Sequence, residues 1–284
     1  MEISDLKIFL AVARCGSISA AAKSLNYVQS NVTARIQQLE DRLQTRLFHR
    51  KSRGVALTSS GTLLFDYAVR LTRLAAEAEA VVSQQDSPRG QLTIGSMETT
   101  AAIRLPKLLA AYHRACPQVS LNLVTGTSEE SLNRLLEYQV DVALVGGEVS
   151  HPQLMAEKAF EEELVLVTPT PAARSADGCE QKILVFRAGC SYRARLESWL
   201  RSEGRVPFNI MEFGSIEAIL ACVGAGMGVS LLPRSLVESV RFRGDYAIRT
   251  LPEEVGRITT WLVRRHNDRE TPTLKTFRQL LLEE

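Results

Sequence analysis

Residues Ser24 to Leu43 read SLNYVQSNVTARIQQLEDRL. Val32, Ile36, Leu39 and Leu43 recur at i, i+4, i+7 and i+11, one apolar stripe on a helix of roughly four turns. The opposite face carries Ser30, Asn31, Ala34, Gln37 and Gln38, flanked by Thr33 and Arg35. These side chains are short or amide-bearing, suited to lie against a surface and exchange hydrogen bonds with base edges and phosphates.

Upstream, Leu6, Phe9, Leu10 and Ala13 repeat at helical spacing and the segment ends near Gly16. Ser17 or Ser19 can cap the next helix, SAAAKSL, whose three consecutive alanines allow two helices to approach closely before the chain breaks near Asn26. Two close-packed helices, a short turn and a helix with a polar outer face form the helix-turn-helix pattern, whose second helix enters the major groove. A small helical bundle with a polar outside is the competing reading. Downstream, LFHRKSRGVALT sets Arg50, Lys51 and Arg53 before Gly54 and the β-prone Val55-Ala56-Leu57, a short basic hairpin able to act as a wing on phosphates or in the minor groove. His49 has no second His or Cys at ligand spacing and is read as a packing or phosphate-side residue.

Charge is distributed to match. Over the 284 residues the formal net charge is only +2, yet residues 1–58 hold nine Lys or Arg against four acids, a net of +5 that leaves −3 on the remainder. A basic end on a slightly acidic body suits an anionic partner at that end, although a solvated charged face would look the same. Five cysteines at irregular spacings, with no C-x-x-C, suggest neither a disulfide framework nor a zinc knuckle. The start MEISDLKIFL lacks the pattern of a signal peptide, and no apolar run reaches the roughly 18 residues of a membrane span, so a cytoplasmic protein without a membrane partner is expected.

The stretch FLAVARCGSISAAAKSLNYVQSNVTARIQQLEDRLQTRLFHRKSRGVALTSSG, Phe9 to Gly61, resembles the N-terminal winged helix-turn-helix of the LysR-type transcriptional regulators. Phe9, Gly16, Ser17, Ala20 to Ala22, Leu25, Gln29, Ile36, Leu39-Glu40, Leu47-Phe48, Arg50, Leu57-Thr58 and Gly61 carry the likeness. The resemblance implies that Gln29, Ser30, Thr33 and Arg35 fall where the family contacts bases and backbone, with Arg50 and Arg53 on the wing. Asn31, Gln37 and Lys51 complete the expected DNA-binding set on the same surfaces. Two departures stand out: Gln44-Thr45 replaces the common glycine after the recognition helix, and Thr33 stands where serine is frequent.

From Ser59 or Ser60 to Gln85, Leu64, Tyr67, Leu71, Leu74, Ala78 and Val81 follow steps of 3 and 4, a heptad seam, with Asp66, Arg70, Arg73 and Glu77 outside it. A second copy of the chain is the economical partner for such a seam, and docking on the chain's own body is the alternative. The resemblance implies the same dimerisation, a dimer of dimers, and RNA polymerase as a further candidate partner. Two recognition helices reading two half-sites predict a roughly palindromic operator. The polar stretch up to Gly90 reads as a hinge, giving a DNA-binding domain at 1–58, a linker at 59–87 and a third domain at 91–284.

Beyond Gly90 strands and helices alternate. QLTIGS precedes a helix at about Ala101 to Cys116, VSLNLVTG one at Ser128 to Tyr138, and VDVALVGG is a buried strand. The pattern recurs with KILVFRAG, SYRARLESWLRSEG, NIMEFGS, IEAILACVGAG and MGVSLLP. EELVLVTP and RITTWLVRR are β-rich runs able to cross between sheets, so two lobes with a cleft are expected: lobe I at about 91–163 and 265–284, lobe II at about 164–264. The fold class is therefore α/β, a winged helix-turn-helix and linker helix followed by the two-lobed, periplasmic-binding-protein-like effector domain that the resemblance implies.

Ligands in such sheets sit outside the carboxyl ends of strands. There stand Ser96, Glu98, Thr99 and Thr100, then Thr125, Thr127 and Ser128, then Gly147, and from lobe II Cys190, Ser191, Arg193 and Ser215. Hydroxyls at helix starts beside Arg193 favour a small anion, a carboxylate or oxoanion. The same hydroxyls are also the standard N-cap residues, and Glu98 opposes strict anion selectivity unless the ligand also carries a donor. Cys190, before a helix and three residues from Arg193, raises redox sensing as an alternative.

No enzyme constellation is visible: His49, His113, His151 and His266 are scattered, with no H-E-x-x-H, G-x-S-x-G or P-loop, and neither cofactor nor metal is expected. Gly224-Ala225-Gly226-Met227-Gly228 follows a helix and precedes a strand, the wrong order for a dinucleotide loop. A solute-binding protein would explain residues 91–284 but not the basic winged end.

Overall fold

The computed structural model describes residues 1–50, 54–82, 87–171, 182–206, 208–239, 244–266, 268 and 270–283, with the backbone alone for Arg50, Glu77, Ala80, Val81 and Val82. The chain divides into two compact units, residues 1–85 with 137–139, and residues 86–136 with 140–284.

The first unit runs α1 (Ile3–Cys15), α2 (Ile18–Ser24), α3 (Gln29–Leu43), β1 (Phe48–Arg50), β2 (Val55–Leu57) and α4 (Ser59–Val82). Gly16 ends α1 at φ +60°, where a side chain would be strained, and Ser17 caps α2 by accepting from Ala20 N. Asn26, at φ +55°, turns the chain from α2 into α3. Leu6, Phe9, Val12, Ala21, Val32, Ile36, Leu39 and Leu47 close into one core, with the Phe9 ring 5.2 Å from Phe48. The wing is fixed to the first turn: Val55 N donates to Gly16 O at 2.8 Å, and a Cβ on Gly54 would collide with that carbonyl.

Glu40, buried at the end of α3, ties that helix to the wing. Its Oε1 accepts from Leu47 N at 2.8 Å and Phe48 N at 3.2 Å, and its Oε2 pairs with Arg46 at 2.7 Å. Gln44, in the glycine position noted above, takes the left-handed conformation at φ +51° and steadies it by donating Nε2 to Asp41 O at 2.6 Å. Thr58 caps α4, its Oγ1 accepting from Gly61 N at 2.9 Å.

The second unit begins β3 (Gly90–Ser96), α5 (Glu98–Ile103), α6 (Leu105–Ala115), β4 (Val119–Thr125), α7 (Ser128–Leu136), β5 (Val142–Gly146) and β6 (Leu154–Pro169). It continues β7 (Lys182–Val185), α8 (Ser191–Ser202), β8 (Asn209–Glu212), α9 (Ile216–Gly224), β9 (Ser230–Pro233), α10 (Arg234–Val237) and β10 (Tyr246–Thr250). It closes with α11 (Glu253–Gly256), β11 (Arg257–Arg265) and α12 (Pro272–Leu282).

β3 lies parallel between β4 and β5, while β11 is antiparallel to both β5 and the first half of β6. The second half of β6 pairs with β9 and β10, so this one 16-residue strand serves two sheets and joins two lobes. The parallel pair β7–β8 meets β9 through a bridge between Ile183 and Val229. Lobe I packs α6 and α12 on one sheet face, Tyr112 edge-on to Phe277, and α7 on the other. Lobe II gathers Trp199, Leu196 and Tyr192 on one side and the α9 stripe Ile216, Ile219, Leu220, Val223 on the other.

Several boundaries differ from expectation. The helix expected at Ala101 to Cys116 is two helices, because Pro106 must stand in the first turn of a new one. β6 starts at Leu154, well before EELVLVTP, and RITTWLVRR stays within the first sheet rather than crossing. The return crossing is instead the turn from β10 through α11, so lobe I resumes at Arg257 and not near 265. Arg195 holds that turn, its Nη1 donating to the carbonyls of Glu254 at 2.7 Å and Arg257 at 2.8 Å.

Candidate functional site

On the winged unit, Gln29, Ser30, Asn31, Ala34, Gln37 and Gln38 are exposed along the outer face of α3. Thr33 is half-buried and its Oγ1 donates back to Gln29 O at 2.9 Å. Arg35 departs from expectation: its Nη1 lies 2.8 Å from Asp5 Oδ1 and 3.5 Å from Glu2 Oε2, so it braces α3 against the start of α1 instead of facing outward. Of the wing cations, Arg50 sits on β1, while Lys51 and Arg53 lie outside the described residues.

Along α4, Leu64, Phe65 and Val69 pack on the winged core around the fully buried Ala68. Leu64 therefore does not belong to an outward seam. Its neighbour Leu63 takes that place, 66% exposed, in line with Tyr67, Leu71, Leu74 and Ala78. The Val81 side chain lies outside the described residues.

In the second unit the lobes meet around a cavity of about 110 Å³. Lobe I supplies Met97, Glu98, Thr99, Thr125, Gly126, Thr127 and Ser128; lobe II supplies Phe186, Arg187, Cys190, Tyr192, Phe213 and Gly214. Thr99 Oγ1 donates to Tyr192 Oη at 3.3 Å across the lobes, and Glu129 N donates to Gly189 O at 3.3 Å. Burial raises the Glu98 carboxyl above the usual range, the Ile216 N–H and Arg187 act in the opposite direction, and the Glu217 charge raises it further. Arg187 stays largely exposed, its Nη1 3.7 Å from Glu130 Oε1.

Two sequence segments match known families: residues 3–62 the bacterial regulatory helix-turn-helix proteins of the lysR family, and residues 85–284 the LysR substrate binding domain. The chain belongs to the LysR family of transcriptional regulators. This LysR-type protein is 47% identical over 280 residues to the HTH-type transcriptional regulator GltR of Bacillus subtilis (strain 168), covering 98% of this chain and 95% of that one. It is 44% identical to the HTH-type transcriptional regulator SoxR of Arthrobacter sp. (strain TE1826), covering 98% and 95%. Full-length CbnR, solved in complex with its target DNA, superposes with a TM-score of 0.69 at 25% identity, covering 100% of this chain and 99% of that one. The chain is thus a DNA-binding transcriptional regulator with a substrate-binding domain, and its relatives are regulators rather than enzymes.

Within the LysR substrate-binding domain, Glu98, Thr99, Thr125, Thr127, Ser128 and Cys190 come together at the cavity. Ser96 does not: it is fully buried, its Oγ donating to Met97 O. Thr100 is buried within α5, Gly147 forms a turn at φ +88°, and Ser215 caps α9 by accepting from Ala218 N at 3.1 Å. Ser191 and Arg193 open onto a different, shallower pocket of about 580 Å³ beside α7 and α8.

Arg193 is the largest correction. Its Nε lies 2.8 Å from Glu197 and its Nη1 2.6 Å from Glu212, so both ends of the fork are taken by carboxylates. Arg187 is the cavity's guanidinium instead, and nothing in the sequence VFRAG distinguishes it from Arg193. Met97, Phe186 and Phe213 were likewise missed, since apolar residues at strand ends look the same whether they fill a core or face a ligand. Cys190 is buried, and burial pushes its thiol pKa up, away from the reactive thiolate, despite the nearby Arg193.

Proposed function

We propose that this regulator reads a roughly palindromic operator as a dimer, and that a small ligand with an anionic group, held in the interlobe cavity, alters how it binds or bends that DNA. Gln29, Ser30, Asn31, Thr33 and Gln37 face bases and backbone, with Arg50, Lys51 and Arg53 on phosphates or in the minor groove. The α4 stripe from Leu63 to Ala78 pairs two chains, and pairs of dimers form the tetramer. Ligand acts by binding one arrangement of the lobes better than another, since equal binding to both would shift nothing.

The observation that carries the sensor reading is the cavity itself, lined from both lobes by Thr99, Thr125, Thr127 and Ser128 and by the exposed guanidinium of Arg187. A ligand there touches both lobes at once and so can report on their spacing. The anionic group is received at Arg187, not Arg193. Redox sensing through Cys190 is disfavoured by the raised thiol pKa.

Thermal unfolding of the full chain with carboxylates, oxoanions and amino acids tests this. A bound compound at about a hundred times its dissociation constant stabilises the protein by about 2.7 kcal/mol. That shift is expected to vanish in Arg187→Ala. A shift that survives Arg187→Ala and Thr127→Val alike would put the ligand elsewhere.

A further inference from the structure

The charges around the cavity are not those of a simple anion trap. Glu98 stands in its wall, Glu130 reaches toward Arg187, and Glu217 bears electrostatically on Glu98. Among the described residues that line the cavity, Arg187 is the single base. A ligand carrying only negative charge would bring it close to Glu98 in a partly desolvated site, where like charges repel more strongly than in water. A ligand carrying only positive charge would leave Arg187 opposed. The lining holds one carboxylate and one guanidinium, and its complement carries one group of each sign.

Size and lining narrow the class further. About 110 Å³ is well below a drug-sized pocket. Thr127 Oγ1 accepts from Glu130 N at 3.1 Å, which leaves its proton to donate, and Thr125 stands beside it in the lining. Phe186 and Phe213 offer aromatic surface to an apolar stem.

We propose that the ligand is a zwitterion of amino-acid size, with its ammonium received by Glu98 and its carboxylate by Arg187 and the hydroxyls of Thr125 and Thr127. This inference rests on the cavity being the sensor site. It adds that the ligand has an amine, and it assigns Glu98 as the residue that separates amino acids from the matching plain carboxylates. The partly buried carboxyl also makes recognition depend on pH. The ammonium needs ionised Glu98, so affinity is full above the Glu98 pKa and falls as pH drops through it, with a proton released on binding near that pKa.

The test is thermal unfolding of the full chain with each of the common α-amino acids, its deaminated carboxylate and its decarboxylated amine, in the wild type, Glu98→Gln and Arg187→Ala. At least one amino acid is expected to raise Tm while both truncated partners at equal concentration do not. Glu98→Gln, which preserves shape, is expected to weaken that amino acid at least tenfold and to flatten its pH dependence. The inference is overturned if no amino acid raises Tm, or if the deaminated carboxylate works as well and Glu98→Gln changes nothing. In the latter case loss of the shift in Arg187→Ala leaves the cavity as the sensor site, whereas a shift untouched by either variant removes the cavity reading as well.

Discussion

Val28 occupies the N-cap of the recognition helix with its side chain 68% exposed and no side-chain bond to the helix's free N–H groups. Replacing it with a capping residue, Val28→Ser, is predicted to stabilise the protein by about 1 kcal/mol, read as a higher denaturant midpoint at unchanged slope. Glu40 works in the opposite sense, because it satisfies two backbone N–H groups where α3 meets the wing. Glu40→Ala is predicted to cost about 2–3 kcal/mol in the same assay, and a loss below about 0.5 kcal/mol would contradict that role. Glu98 gives a pH signature without ligand. Its carboxyl binds a proton more tightly folded than unfolded, so its contribution to stability falls as pH rises through the window between the two pKa values. Glu98→Gln is therefore predicted to stabilise the ligand-free protein at about pH 7.5, the gain vanishing below about pH 3, under the usual carboxylate range. At this scale the sequence exposed residue types but not pairings. Arg187 and Arg193 stand six positions apart, and their partners separate them: Glu197 and Glu212 hold Arg193 at 2.8 and 2.6 Å, while Arg187 lies 3.7 Å from Glu130.

The helix α4 shows how far periodicity carries and where it stops. Leu64, Phe65, Ala68 and Val69 form one apolar side, while Leu63, Tyr67, Leu71, Leu74 and Ala78 form a second. A heptad count alone merges the two sides, which puts Leu64 in the seam in place of Leu63. Leu74, 57% exposed, has nothing to do with the winged core, which makes Leu74→Glu a clean test of pairing. Sedimentation is predicted to show a markedly weakened dimer with far-ultraviolet dichroism unchanged, and an unaltered association state would refute the α4 seam. The winged elements were legible because small residues, caps and a basic hairpin each carry local signals. β6 was half hidden because its first part, with Met155 to Lys158 exposed in succession and charges at Glu157, Lys158 and Glu161, lacks the alternation of a half-buried strand. β10, YAIRT, is short and half polar, and nothing local distinguishes it from a connection.

For the whole molecule, the order of domains was readable because composition and period change near Gly90, and family likeness spans both parts. The site was less legible, since a cavity between lobes is assembled from strand ends far apart in sequence, Thr99 and Tyr192 among them. A two-lobed body joined by β6 and by the turn through α11 gives a ligand two surfaces to draw together, with Glu162 at the crossing accepting from Arg104 at 2.8 Å and Ser235 at 3.1 Å. The central claim is that filling the cavity changes what the protein does to DNA. The direct measurement is the bend angle of an operator fragment, selected from random sequence by the full chain and labelled at both ends for energy transfer, with and without the amino acid that raises Tm most. The account predicts a bend that changes on adding the compound to the wild type and stays constant in Arg187→Ala. An operator whose bend and affinity are the same with the wild-type cavity filled or empty would contradict it.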